Sequence, residues 1–156
     1  MSRYFPLFVN LEGKKVCIFG AGDVAARRIL ALLEFGCELS VIAPEAVPRV
    51  ENLAGEGRLV WEKSPYRPGM VKEAALVLAA TDSRKVNEEI WRECRELKIP
   101  VNVSSDKRLC DFYFPGLAVK EDVVAGVTAG GRDHKLARKV TERIREVLQE
   151  DGCLWK

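Results

Sequence analysis

Short runs of consecutive apolar residues alternate, over the first hundred positions, with longer stretches where apolar residues return every three or four places. Lys14 to Gly20 holds Val16, Cys17, Ile18 and Phe19 and reads as a buried strand. From Asp23 to Phe35 the residues Val24, Ala25, Ile29, Leu32 and Leu33 recur at helical spacing, and Gly36 supplies a stop. Glu38 to Ala43 predicts a second strand on Leu39, Val41 and Ile42. Glu45 to Ala54 predicts a short helix with Pro48 in its first turn. Leu59 to Glu62 predicts a third strand, Pro65 to Gly69 a turn, and Val71 to Ala74 a helical turn. Ala75 to Ala80 is apolar throughout, as a strand buried on both faces is. Asp82 stands where it can cap the next helix, in which Val86, Ile90, Cys94 and Leu97 share a stripe, and Pro100 to Ser104 is a fifth strand. This alternation predicts an α/β fold with a parallel sheet and right-handed crossovers.

The rhythm changes after Asp111. Phe112 to Val119 and Val123 to Thr128 are strand-like with no helix between them, and Gly130-Gly131 makes a break. A last amphipathic helix, His134 to Gln149, carries Leu136, Val140, Ile144, Val147 and Leu148 on one side. A hairpin and one helix are too little for an independent core. Residues 112–156 are therefore expected to pack on the sheet domain, residues 1–111, or to pair with the same element of a second subunit in a homodimer.

Composition narrows the class without naming it. The 156 residues are 47% apolar and 31% charged, a balance that excludes a disordered chain, and a net charge of +2 does not call for nucleic acid. The five cysteines are odd in number and lack a C-x-x-C pair, so neither a disulfide framework nor a metal site is expected. The amino-terminal residues lack the apolar core of a signal peptide, and no run approaches the roughly 20 apolar residues of a membrane span. A cytoplasmic protein with no membrane partner is the expectation.

The first strand runs into Gly20-Ala21-Gly22-Asp23-Val24-Ala25 and then a helix, which is G-x-G-x-x-A in the setting that gives the pattern meaning. It marks a Rossmann-type dinucleotide site. Gly20 permits the tight turn and Gly22 the approach of a pyrophosphate. Ala25 lets the helix pack closely, and amides from Gly22, Asp23 and Val24 onward face the phosphates. At the end of the second strand, Ala43, Pro44 and Glu45 occupy the ribose position. Glu45 either meets the ribose or is a solvated residue of the next helix. No Arg follows that strand immediately, which favours NAD over NADP. Thr81 and Asp82, after the fourth strand, either line the nicotinamide side or, for Asp82, serve only as a cap.

Several further segments resemble the precorrin-2 dehydrogenases of siroheme synthesis. They include Arg27-Arg28 after the glycines, Val41-Ile42-Ala43-Pro44, Ala79-Ala80-Thr81-Asp82 and Val86-Asn87. Val101-Asn102-Val103, Cys110-Asp111-Phe112-Tyr113-Phe114-Pro115, Gly130-Gly131 and Leu136-Ala137-Arg138 complete the set. The resemblance covers nearly the whole chain in order. It implies a homodimer that uses NAD to oxidise precorrin-2 to sirohydrochlorin, some members also inserting ferrous iron. It further implies a Rossmann domain, a small dimerisation region and a further C-terminal helical portion, most of which is not expected here, where the chain stops at Lys156. Asn102, Thr128, Arg132, Lys135 and Arg138 are the implied contacts of the polycarboxylate substrate. For each basic residue a solvated helix face is the alternative. His134, the single histidine, is a helix-start residue, a base or one ligand of a metal site that it cannot complete alone.

One departure stands out. The family's Asp after Asn-x-x is thought to be a base or an iron-handling group, and that position is Ser105 here, with Asp106 next. Asp106 is the preferred acid–base residue, with Ser105 second and Asp111 third; a desolvated Asp with raised pKa would suit the role. A non-catalytic NAD-sensing or tetrapyrrole-binding module is the alternative, and a chelatase that no longer needs NAD is opposed by the intact glycines.

Overall fold

The computed structural model describes residues 4–149, so Cys153 lies outside the described residues. The larger of two compact units spans Val9–Phe112. Its five strands are β1 (Lys15–Phe19), β2 (Glu38–Ile42), β3 (Val60–Glu62), β4 (Leu76–Ala79) and β5 (Val101–Val103). They form one sheet in the order β3-β2-β1-β4-β5, parallel throughout. The helices are α1 (Asp23–Leu32), α2 (Pro48–Gly55) and α3 (Arg84–Leu97). The order reverses between β1 and β4, the place where doubly wound sheets open a crevice at their carboxyl ends.

The apolar runs become the core. Val16, Cys17, Ile18 and Phe19 are fully buried, so β1 shows water neither face. Cys17, Phe19, Ile42, Val77, Ala79, Val101 and Val103 belong to one cluster with Ile90 and Cys94 of α3. Each side chain of Ile or Phe size there contributes on the order of 1.5–3 kcal/mol. Burial pushes the Cys94 thiol up to about 12, the response of a structural rather than a reactive cysteine.

Three local expectations shift. The segment after β2 stays bent until α2 begins at Pro48, which serves as N1 because it needs no amide acceptor there. Val47 is the N-cap, and its amide donates to the Ala21 carbonyl at 3.0 Å. The cap of α3 is Ser83, whose hydroxyl accepts from the Val86 amide, and not Asp82. Val71 to Ala74 forms turns only. Gly36 does end the first helical segment, at φ +63°.

The outer edge of β5 is covered by the loop that returns beside it. Asp111 donates its amide to the Val101 carbonyl at 2.9 Å, and its carboxylate accepts from the Val101 amide at 3.1 Å. The Cys110 sulfur takes the Val103 amide and gives its proton to the Val103 carbonyl, both at 3.2 Å.

The second unit comprises residues 4–8 and 113–149. Strands β6 (Gly116–Lys120) and β7 (Val123–Val127) pair antiparallel, with Glu121 at φ +50° in the tight turn. Helix α4 (His134–Gln149) is capped by the Asp133 carboxylate, which accepts from the Leu136 amide at 2.8 Å. Arg145 donates from Nε and Nη2 to the Leu117 carbonyl, tying α4 to β6. Gly116 lies against Thr141, leaving no room for a Cβ. Leu136 and Val140 remain exposed on α4.

Candidate active site

Register sets which loops share one end of the sheet. Phe19, Ile42, Ala79 and Val103 are neighbours on one rung at the carboxyl ends of β2, β1, β4 and β5. The loops beginning at Gly20, Ala43, Ala80 and Ser104 therefore leave the sheet at one level, bringing together the candidate residues Gly20, Gly22, Asp23, Val24, Ala43, Pro44, Glu45, Thr81, Asp82, Ser105 and Asp106. A hollow of about 620 Å³ lined by Lys14, Lys15, Glu38 and Lys72 lies at the opposite, amino-terminal edge.

The two glycines do different work. Gly20 has φ +97°, and a Cβ there would lie 2.6 Å from the Ala80 carbonyl carbon and 2.9 Å from the Thr81 nitrogen. This glycine lets the loops after β1 and β4 touch. Gly22 is the N-cap of α1 at φ −82°, and a Cβ on it would meet nothing within 4 Å. No side chain caps α1, and its first internal bond runs from the Ala26 amide to the Gly22 carbonyl at 2.9 Å. The amides at residues 23 to 25 thus precede the helix's own acceptors and keep a positive end toward open space. That cradle fits a diphosphate. Asp23 and Val24 are exposed in its first turn.

The ribose side is simpler. Ala43 is buried, and its carbonyl accepts from the Trp61 indole at 3.0 Å. Pro44 and Glu45 are exposed in the bend before α2, so Glu45 is a loop residue rather than part of that helix.

A polar residue given no role by the sequence organises the β4 side. Asn87 is fully buried on α3. Its Oδ1 accepts from the Thr81 amide at 3.1 Å and the Thr81 hydroxyl at 2.8 Å. Its Nδ2 donates to the Thr81 carbonyl at 3.0 Å and to Ser105 Oγ at 3.2 Å. The Thr81 hydroxyl also accepts from the Ser83 amide at 3.3 Å. Thr81 thus spends its side chain on the turn, at partial exposure. Asp82 is exposed and left free of the capping role. The signal for Asn87 was an amide interrupting the apolar stripe of Val86, Ile90 and Cys94, since a buried amide must find partners.

Three expectations at β5 are corrected. Asn102 is buried, accepting from Arg28 at 2.7 Å and donating to the Phe112 carbonyl at 2.7 Å. It joins α1 to β5 and offers no group to a substrate. Arg28, also missed, is half-buried, and burial draws its pKa below the ordinary value. Asp111 binds Val101, at the amino end of β5, about 7 Å along the strand from the ligand end, and pairs with Arg95 at 3.3 Å. It is framework. Asp106 does reach the ligand end, but its pKa is not raised. Its carboxylate accepts from the Arg108 side chain at 2.6 and 3.0 Å and from the Arg108 amide at 3.0 Å, with Arg84 at 3.5 Å. These donors hold it well below the usual carboxylate range.

The remaining candidates belong to the second unit. Thr128 follows β7 and accepts from the Gly130 amide at 3.2 Å. Arg132, His134 and Lys135 are exposed, and Arg138 pairs with Glu142 along α4 at 2.8 Å. Among the described residues no three His, Cys, Asp or Glu side chains converge as a metal site. No helix there is long and apolar enough to cross a membrane.

Comparison with known proteins follows the same lines. The chain is 34% identical over 145 residues to a siroheme synthase of Photorhabdus laumondii, spanning 93% of this chain and 31% of that protein. It is 32% identical over 146 residues to a probable multifunctional siroheme biosynthesis protein, HemA, of Ruminiclostridium josui, spanning 93% of this chain and 28% of the relative. The chain thus spans about three-tenths of the length of these curated relatives. In fold it resembles SirC, a precorrin-2 dehydrogenase, with a TM-score of 0.83 and 18% identity over 92% of this chain and 70% of that one. Residues 7–116 match the family model described as "Putative NAD(P)-binding", and the chain belongs to that NAD(P)-binding family.

Proposed function

We propose that the chain is an NAD-dependent dehydrogenase that oxidises precorrin-2 to sirohydrochlorin. The observation that carries this reading is the uncapped start of α1 facing open space at Gly22, beside the reversal in strand order. The similarity to siroheme synthases over 93% of the chain supplies the substrate class. When bound, the coenzyme supplies the hydride acceptor, and a proton leaves with the oxidation. The chain's own residues hold the diphosphate with the amides after Gly22 and offer Glu45 to the ribose. They bring Ser105 to the rim of the crevice. A homodimer is part of the reading, supported by Leu136 and Val140 exposed at 52% and 39% on α4. Arg132, Lys135 and Arg138 of the second unit are the proposed contacts for substrate carboxylates, with Thr128 beside them.

The test is anaerobic incubation of the purified chain with precorrin-2 and NAD, following NADH formation. Turnover supports the reading; coenzyme binding without turnover would instead favour the non-catalytic module, which Ser105 at the family's acidic position favours in advance.

Asp106 is the organiser of Arg84 and Arg108 rather than the base, because a carboxylate with so low a pKa takes a proton poorly near pH 7. Asp106→Asn is expected to keep turnover within about threefold of the parent. A loss of a hundredfold, on the order expected for a general base, would return the role to Asp106. Because the folded pKa is depressed, the carboxylate's share of stability is complete above the ordinary value of about 3.9 and fades as pH falls through the folded value. Parent and variant should therefore converge in denaturation midpoint under strongly acidic conditions.

A further inference from the structure

Asn87 determines more than the shape of a turn. Which end of its amide is oxygen follows from two backbone groups that allow no choice. The Thr81 amide can only donate, so it faces Oδ1, and the Thr81 carbonyl can only accept, so it faces Nδ2. The second proton of Nδ2 then points at Ser105 Oγ, 3.2 Å away. A serine hydroxyl has one proton and two lone pairs. With a lone pair committed to Asn87, its proton must go to another acceptor. Ser105 is exposed at the carboxyl end of β5, with β4 between it and the strand that leads into the glycine cradle.

We propose that Asn87 is a positioning residue that fixes the Ser105 hydroxyl as a hydrogen-bond donor toward an acceptor oxygen of a polycarboxylate macrocycle. This rests on the dehydrogenase reading for its ligand class. The bond from Asn87 fills one lone pair of Ser105 and cannot take its proton, so that proton is left to face the ligand's carboxylates, which when ionised only accept. Burial keeps Asn87 from turning, since every hydrogen-bonding position of its amide is filled.

The experiment is a double-mutant cycle read as binding of sirohydrochlorin, by quenching of tryptophan fluorescence, in the absence of coenzyme. Ser105→Ala is expected to weaken binding about tenfold, the worth of one hydrogen bond to a charged oxygen, and Ser105→Thr to retain most of the affinity. Asn87→Asp replaces the donor by an acceptor, turns the Ser105 proton inward, and is expected to cost about the same tenfold. In the Ser105→Ala background, Asn87→Asp should add less than about twofold. A merely structural asparagine would cost equally in both backgrounds, and that result overturns the proposal. If Asn87→Asp does not fold, Asn87→Ala enters the same cycle with the same expectation, because it too removes the donor. Binding is measured apart from turnover, so the two readings fail separately. A parent that binds but forms no NADH ends the dehydrogenase reading, while the cycle still decides this one. A parent without affinity for the macrocycle overturns this proposal directly.

Discussion

Gly22→Asp is expected to melt at or about 1 °C above the parent's temperature and to bind NAD at least about a hundredfold more weakly. Both effects come from one place. At φ −82° any residue is accommodated, and a side chain meets nothing within 4 Å, so the backbone accepts the change. An aspartate at the N-cap is a good helix start. It accepts from the free amides of the first turn and, relative to glycine, contributes about 0.3 kcal/mol, or about 1 °C for a chain of this size. Those are the amides proposed to hold the diphosphate. The new carboxylate occupies them and places a negative charge where the ligand's own charge must sit. Thermal melting and titration calorimetry read the two effects independently. A folded variant with parental NAD affinity would remove the proposed binding mode.

Gly20→Ala, two residues earlier, should do the reverse and destroy the fold before the site. Its φ of +97° is unfavourable for a residue with a side chain, at about 1–3 kcal/mol. The added methyl would also press on the backbone at Ala80 and Thr81, with a further cost of about 1–3 kcal/mol. Against a total stability of about 5–15 kcal/mol this is a large fraction. The expected outcome is insoluble protein or a melting temperature lowered by about 10 °C or more. A change of under about 2 °C would show that the loops after β1 and β4 do not meet as described.

The contrast shows what the residue pattern disclosed. Continuous apolar runs announced β1 and β4, and the stripe on Leu136, Val140 and Leu148 announced α4 to its last residue, because burial on two faces or one leaves a direct imprint on spacing. The glycine fingerprint was legible for the same reason: each glycine answers a local backbone demand. What failed to show were relations between distant segments. Ser105, Asp106 and Asp111 sit within a few residues of one another, yet the chain doubles back along β5 and puts Asp111 at the far end of the strand. Asn102 belongs to a three-residue strand, too short for alternation to reveal which way its amide faces. The choice between Ser83 and Asp82 as cap turns on where α3 begins, and both are good cap residues.

The loop alongside β5 has a consequence for how copies of the protein behave at high concentration. An exposed strand edge invites a neighbour's backbone to pair with it, which is how sheets seed fibres. On this side the invitation is withdrawn, because Cys110 and Asp111 occupy the amides and carbonyls of Val101 and Val103 that a stranger would use. At the other side β3 is only three residues long, with the charged groups of Glu62 and Lys63 at its end. A sheet so bounded is a poor template for edge-to-edge aggregation, and the Asp111 carboxylate that looked like chemistry acts, with the Cys110 sulfur, as its selvedge.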